Sequence, residues 1–180
     1  MMKTYARIAW LLLLGMVLLF LDFVTKAYVY HVLPFYDSCT GSSCVDFVIF
    51  KDWFGIDFMI TLAMNTGAAW GFFSNFQVVL LIVRIVIISA MFLYLFFLND
   101  HSAQAIPLVM ILAGALGNVV DYFLYGFVVD FLHFNLWGYH FPVFNFADTC
   151  ITIGVIWLMC VTVLGSKHKS PKQHDKYAGV

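Results

Sequence analysis

Four stretches of this chain are too long and too apolar to fold as anything but membrane-crossing helices. They run from Ile8 to Val29, Gln77 to Leu98, Ala105 to about Val129 and Phe146 to Gly165. A helix needs about 20 residues to cross the hydrocarbon core of a bilayer. Strands of a membrane barrel would be about 10 residues long and strictly alternating, whereas these runs are long and continuous. Composition agrees. Only 11% of the chain is charged and 63% is hydrophobic, with a mean hydropathy of +0.94; an ordinary soluble domain carries roughly 25% charged residues. A chain of 180 residues has too much surface relative to volume to hide that much apolar area in one soluble core. These features exclude a soluble enzyme and a disordered chain. A net charge of -1 leaves no basic patch for nucleic acid.

Four spans place both termini on one side. Lys3 and Arg7 precede the first span, and Lys167, Lys169, Lys172 and Lys176 follow the fourth. Basic residues stay cytoplasmic, so both ends are expected inside and the long loop over residues 30–76 outside. That loop carries Asp37, Asp46, Asp52 and Asp57 against one Lys51. The expected organisation is a single four-helix domain over residues 1–165 and a polar cytoplasmic tail over 166–180. The first span has a basic start but no small-x-small cleavage site, and it contains Asp22 and Lys26. It therefore reads as a retained helix and not as a signal peptide.

Within the outer loop, residues 45–50 and 58–64 are rich in β-branched and aromatic residues, which predicts a small sheet at the membrane surface. Cys39 and Cys44 form either a short disulfide loop in an oxidising compartment or two unpaired thiols. Cys150 and Cys160 lie about 15 Å apart along one helix and cannot bond each other.

The polar residues inside the apolar segments carry the functional signal. Every acid in the chain is Asp. Asp22, Asp121, Asp130 and Asp148 lie in or at the edge of the spans with Lys26 and Arg84, and Asn65, Asn118 and Asn145 are nearby. A charge at the bilayer centre costs about 2.5–3.5 kcal/mol on insertion scales, so such residues need partners and mark function; the alternative is a structural network holding helices together. Asp22 and Lys26 are one helical turn apart and can pair. Asp130 is expected at the outer end of the third helix and Asp148 in the first turn of the fourth. Two carboxylates meeting at one membrane face cannot both ionise easily, which provides a general base and a general acid for hydrolysis. The helix dipole assigns the base to Asp148 and the protonated acid to Asp130. On an unbroken helix Asp121 points away from Asp130 and joins a buried network; a kink at Gly126 would weaken that argument. His133 and His140 flank the dyad region, but their spacing fits neither a helical His pair nor a zinc signature, so no metal and no cofactor is expected.

These residues sit in a recognisable set of motifs. Asp22-Phe23-Val24-Thr25-Lys26, Asn65-Thr66-Gly67-Ala68-Ala69-Trp70-Gly71, Gly117-Asn118-Val119-Val120-Asp121, Gly126-Phe127-Val128-Val129-Asp130-Phe131 and Phe144-Asn145-Phe146-Ala147-Asp148 resemble, in order, those of the lipoprotein signal peptidase (signal peptidase II) family. The resemblance implies an all-α membrane fold of four transmembrane helices with a small extracytoplasmic β-cradle. It implies a monomeric intramembrane aspartic peptidase of the bacterial inner membrane, with its active site near the periplasmic face. The substrate would be a prolipoprotein, cut before its diacylglyceryl-modified Cys, with membrane lipid as the other partner. The catalytic pair maps onto Asp130 and Asp148, and the supporting residues onto Asp22, Lys26, Asn65, Asn118, Asp121 and Asn145. One position departs: Tyr122 stands where the family usually has Arg. Arg84, at matching depth on the preceding antiparallel span, is expected to pair with Asp121 or point into the site in its place. Two other classes compete: a membrane thiol oxidoreductase using the outer-loop cysteines, and a proton-coupled transporter using the buried carboxylates.

Overall fold

The computed structural model describes residues 2–33, 47–66, 77–98 and 102–167. Cys39, Cys44 and the tail beyond residue 167 lie outside them. Helix α1 spans Met2–Val32 and is followed by strands β1 (Phe47–Trp53) and β2 (Ile56–Asn65). Helix α2 (Gln77–Leu93) ends in a π turn over Tyr94–Leu98, and α3 covers Ser102–Tyr125. Strands β3 (Val128–Leu136) and β4 (Tyr139–His140) lead into α4 (Phe146–Lys167). Among the described residues, four helices are long and apolar enough to cross a membrane.

Helix α3 is the central one, packed against α4, α1 and α2. The other three turn most of their apolar side chains outward, the distribution expected when the solvent is lipid. At the end of the bundle away from the sheet, Leu95, Ala105, Leu108, Val109 and Leu112 form an apolar core that Leu11, Leu14 and Ile88 complete. At the other end, Val29, Leu62, Val129 and Phe131 join α1 to the sheet.

The four strands form one antiparallel sheet in chain order. The two loop strands appear where the β-branched and aromatic stretches predict them, with β1 shifted towards Trp53. The third span starts and ends earlier than expected. It stops at Tyr125, not Val129, because Gly126 takes a left-handed backbone (φ 79°) and its N–H donates to the Tyr122 carbonyl (2.9 Å). That single bond is an αL helix stop, so Gly126 ends the helix where the sequence suggested a kink. Asp130 consequently lies in strand β3, and the helix-dipole argument for its protonation falls.

Between β2 and β3, Ile60 pairs with Leu132 but Ala63 pairs with Asp130. Three residues of advance on β2 match two on β3, so β2 carries a bulge at Thr61–Leu62. Side chains alternate along a strand, so one extra residue reverses the faces beyond it. The bulge thereby turns Asn65 to the face that carries Asp130.

Candidate active site

Asp130 and Asp148 reach one another from different elements. Phe144, just before α4, is bridged to Leu132 of β3: the amides of Phe131 and Leu132 donate to the Phe144 carbonyl (3.0 and 2.7 Å), and the Phe144 amide donates back to Leu132 (3.1 Å). The start of α4 is therefore fastened beside Asp130. Asn145 is the N-cap of α4. Its Oδ1 accepts from the Asp148 amide (2.8 Å), and Asp148 Oδ2 accepts from the Asn145 amide (3.3 Å). This is the reciprocal capping pattern, with Asp at the third helical position.

The Asn145 side chain, 0% exposed, joins both acids. Its Nδ2 donates to Asp130 Oδ1 (2.7 Å) and to Asn118 Oδ1 (3.1 Å). Asn118 Nδ2 then donates to Asp148 Oδ1 (2.8 Å). Asp130 Oδ2 accepts from Asn65 Nδ2 (2.9 Å), the contact that the β2 bulge makes available. Asp130 is almost wholly buried, whereas Asp148 is partly accessible. Burial, and then the charge of Asp148, push the Asp130 carboxyl up to about 7. The protonated form is thus favoured by desolvation and a like charge, in place of the dipole first expected.

Behind the dyad, Lys26 is 1% exposed and uses all three of its N–H donors. They go to Asp22 Oδ2 (2.8 Å), Asp121 Oδ2 (2.9 Å) and Asn118 Oδ1 (2.9 Å). The expected Asp22–Lys26 pair is present. The expected partner of Asp121 is not Arg84: α3 is the central helix, so Asp121 faces α1 and meets Lys26 there. Asp121 also accepts from the Val129 amide (3.1 Å), which secures the chain as it leaves α3 for β3. Asp22 Oδ1 accepts from the Ala147 amide (2.9 Å), in the first turn of α4, where a negative charge is favoured. Gly117 is required for that approach, since a Cβ there would collide with the Asp22 carboxylate. Tyr122 is half-buried beside Phe123.

Eight of the nine residues singled out in the sequence therefore form one connected polar network across α1, β2, α3, β3 and α4; Arg84 lies half-buried on α2. His133 and His140 lie together (3.3 Å between ring nitrogens). Alternation along β3 puts His133 on the opposite face from Asp130. They do not enter the dyad, and among the described residues no cluster of three or more His, Cys, Asp or Glu could hold a metal ion. Sequence reasoning missed the linking role of Asn145, although Asn-x-x-Asp before an apolar run is a readable capping signal. It also missed the close approach at Gly117 and Ala147.

A four-helix membrane bundle capped by a small sheet, with two carboxylates hydrogen-bonded at their junction, matches known proteins along most of its length. Residues 14–164 match the signal peptidase (SPase) II family, and the chain belongs to that family. Its relatives include the lipoprotein signal peptidase of Staphylococcus aureus (strain bovine RF122 / ET3-1), 40% identical over 117 residues, which are 63% of this chain and 71% of the relative. That of Chlamydia trachomatis serovar D is 43% identical over 109 residues, 59% of this chain and 65% of the relative. The chain thus spans about two thirds of the length of these relatives. A bacterial membrane enzyme solved by the in meso method at 2.3 Å resolution superposes with a TM-score of 0.75 at 30% identity, covering 94% of this chain and 96% of the other. A second such structure, at 1.9 Å, gives a TM-score of 0.70 at 30% identity, covering 91% and 96%.

Proposed function

We propose that Asp130 and Asp148 are the catalytic dyad with which this signal peptidase II removes signal peptides from prolipoproteins. The bond cut is the one before the diacylglyceryl-modified Cys. The observation that carries the reading is the Asn145 amide, which caps the helix bearing Asp148 while donating to Asp130. Two acids so linked, one buried and one partly accessible, are suited to opposite protonation states.

In the mechanism, Asp148 is ionised and takes a proton from water, which attacks the scissile carbonyl carbon. Protonated Asp130 donates to the carbonyl oxygen, and a proton returned from the dyad lets the amine leave. Asn65 and Asn145 hold Asp130, Asn118 and the Asn145 amide hold Asp148, and Lys26 balances Asp22 and Asp121 beneath them. Tyr122 cannot supply the cation usual at its position in the family, and Arg84 is the cation that α2 offers for a contact with substrate. The peptidase acts as a monomer in the bacterial inner membrane. The basic termini are cytoplasmic and the sheet and dyad lie at the periplasmic face. There water reaches the acids while the signal helix and acyl chains of the substrate enter sideways from lipid.

The test is cleavage of a diacylated prolipoprotein by purified protein. Asp130→Asn and Asp148→Asn should each lower turnover by at least about a thousandfold, within the range of general acid–base catalysis, while the chain still folds. Substantial turnover by either variant would overturn the assignment. Replacing Cys39 and Cys44 with Ser should leave cleavage intact, which an outer-loop thiol oxidoreductase would not tolerate.

A further inference from the structure

We propose that the tips of the two β-hairpins insert into the lipid leaflet on the sheet's side of the membrane, anchoring the strand that carries Asp130. Both hairpins close at the same end of the sheet, where Ile56 pairs with Leu136. Their loops are Phe54-Gly55 and Trp137-Gly138, and all four residues are left-handed, with φ of 53°, 79°, 51° and 86°. Two consecutive residues of that kind make the type I′ turn, which favours Asn-Gly. Large aromatic residues are uncommon in that conformation and strained. This chain nevertheless places a Phe and a Trp there and leaves them 82% and 75% exposed. Trp53 and Tyr139, next to the loops, are also exposed.

The two tips bond to each other. Trp137 Nε1 donates to the Phe54 carbonyl (3.0 Å) and the Trp137 amide donates to the Gly55 carbonyl (2.8 Å). An indole whose N–H is already bonded can enter an apolar medium without orphaning a donor. Backbone that contacts lipid must likewise find its partners within the protein. A tip exposed only to water has neither need.

Exposed apolar surface also passes from the lipid-facing helices onto the sheet. Tyr28 and Val32, at the end of α1, and Phe47 and Ile49 of β1 are exposed. With Thr25 and Leu33 they line an apolar groove of about 320 Å³. The exposed apolar surface therefore runs from the membrane-crossing helix onto the first residues of β1, and a second aromatic patch follows at the tips beyond Lys51 and Asp52. Lys51, Asp52 and Asp57, set just behind the first tip, keep its entry shallow, at the depth where aromatic residues gather in membrane proteins.

The test does not depend on the dyad. The full chain is reconstituted in phosphatidylcholine vesicles with or without bromines at carbons 6 and 7 of one acyl chain. Subtracting the fluorescence of Trp137→Phe from that of the parent isolates Trp137. The brominated lipid should quench this signal by roughly twofold or more, as for a ring about 5–10 Å into the headgroup–acyl boundary, and aqueous iodide should not quench it. Quenching by iodide but not by bromine would overturn the proposal. Quenching by neither would place the tip against protein, such as a second copy, and would overturn it equally. If Trp137→Phe does not fold, a chain keeping Trp137 and carrying Phe at its other four tryptophans gives the same reading directly.

Discussion

The two ends of the helix bundle are held by opposite means. At one end, Leu95, Ala105, Leu108, Val109 and Leu112 meet through apolar packing. At the sheet end, Lys26, Asp22, Asp121 and Asn118 meet through short polar bonds. In a bilayer, apolar packing competes with lipid that is equally apolar, so it fits helices together without dictating which atoms meet. A buried ammonium with three donors and three fixed acceptors does dictate it. The chain places its costly and specific contacts where atoms must be positioned for chemistry, and leaves the far end to shape.

Breaking the polar end should have the larger effect. Lys26→Met leaves Asp22 and Asp121 buried without their cation. It should destabilise the protein by about 3–5 kcal/mol, read as unfolding in a denaturing detergent, and abolish cleavage with it. Gly117→Ala pushes a methyl group into the Asp22 carboxylate and should cost about 1–3 kcal/mol, with turnover falling because the start of α4 is displaced. At the other end, Leu108→Ala should cost only about 1–2 kcal/mol, because removing a side chain from lipid-like surroundings forfeits packing but little transfer energy. Its rate of cleavage should match the parent's. Loss of activity from Leu108→Ala equal to that from Gly117→Ala would mean that the two ends are not separable.

The pH response sharpens the same contrast. The Asp130 carboxyl is raised to about 7, so the stability it contributes is complete below the ordinary carboxylate range and is lost as pH rises through 7. Asp130→Asn does not titrate. The stability of the parent relative to this variant should fall by up to about 1.4 kcal/mol per pH unit between about pH 4 and 7 and level off above 7, measured by thermal unfolding in detergent. Cleavage by the parent should decline as pH rises through 7, since the proposed mechanism uses the acid form of Asp130. A flat stability difference between pH 4 and 7 would contradict the raised carboxyl.

The sequence made the four spans legible because hydropathy over twenty residues is a strong signal, and the polar residues stood out against it. Strand β3 was hidden for the same reason. A strand buried on both faces lacks the apolar–polar alternation of a half-buried one, and periodicity cannot separate the Val128–Leu132 stretch from the end of a helix. Only Gly126 and Gly138, on either side of Val128–Leu136, betray it. The partner of Asp121 was not legible either. Drawing the third span to Val129 set Asp121 at the depth of Arg84, whereas the helix ends at Tyr125, nearer the level of Lys26, and the central position of α3 turns Asp121 towards α1. The single-residue bulge that aims Asn65 leaves no mark in composition at all.

Asn145 has a mechanical consequence. The two carboxylates ride on different elements, a strand and a helix. One flat amide touches both attachments, so any slide of α4 would carry the cap, Asp148 and the donor to Asp130 together. The gap between the two carboxylates is then set by a rigid group of a few atoms, as a gauge block sets the jaws of a vice, and not by the looser spacing of whole helices.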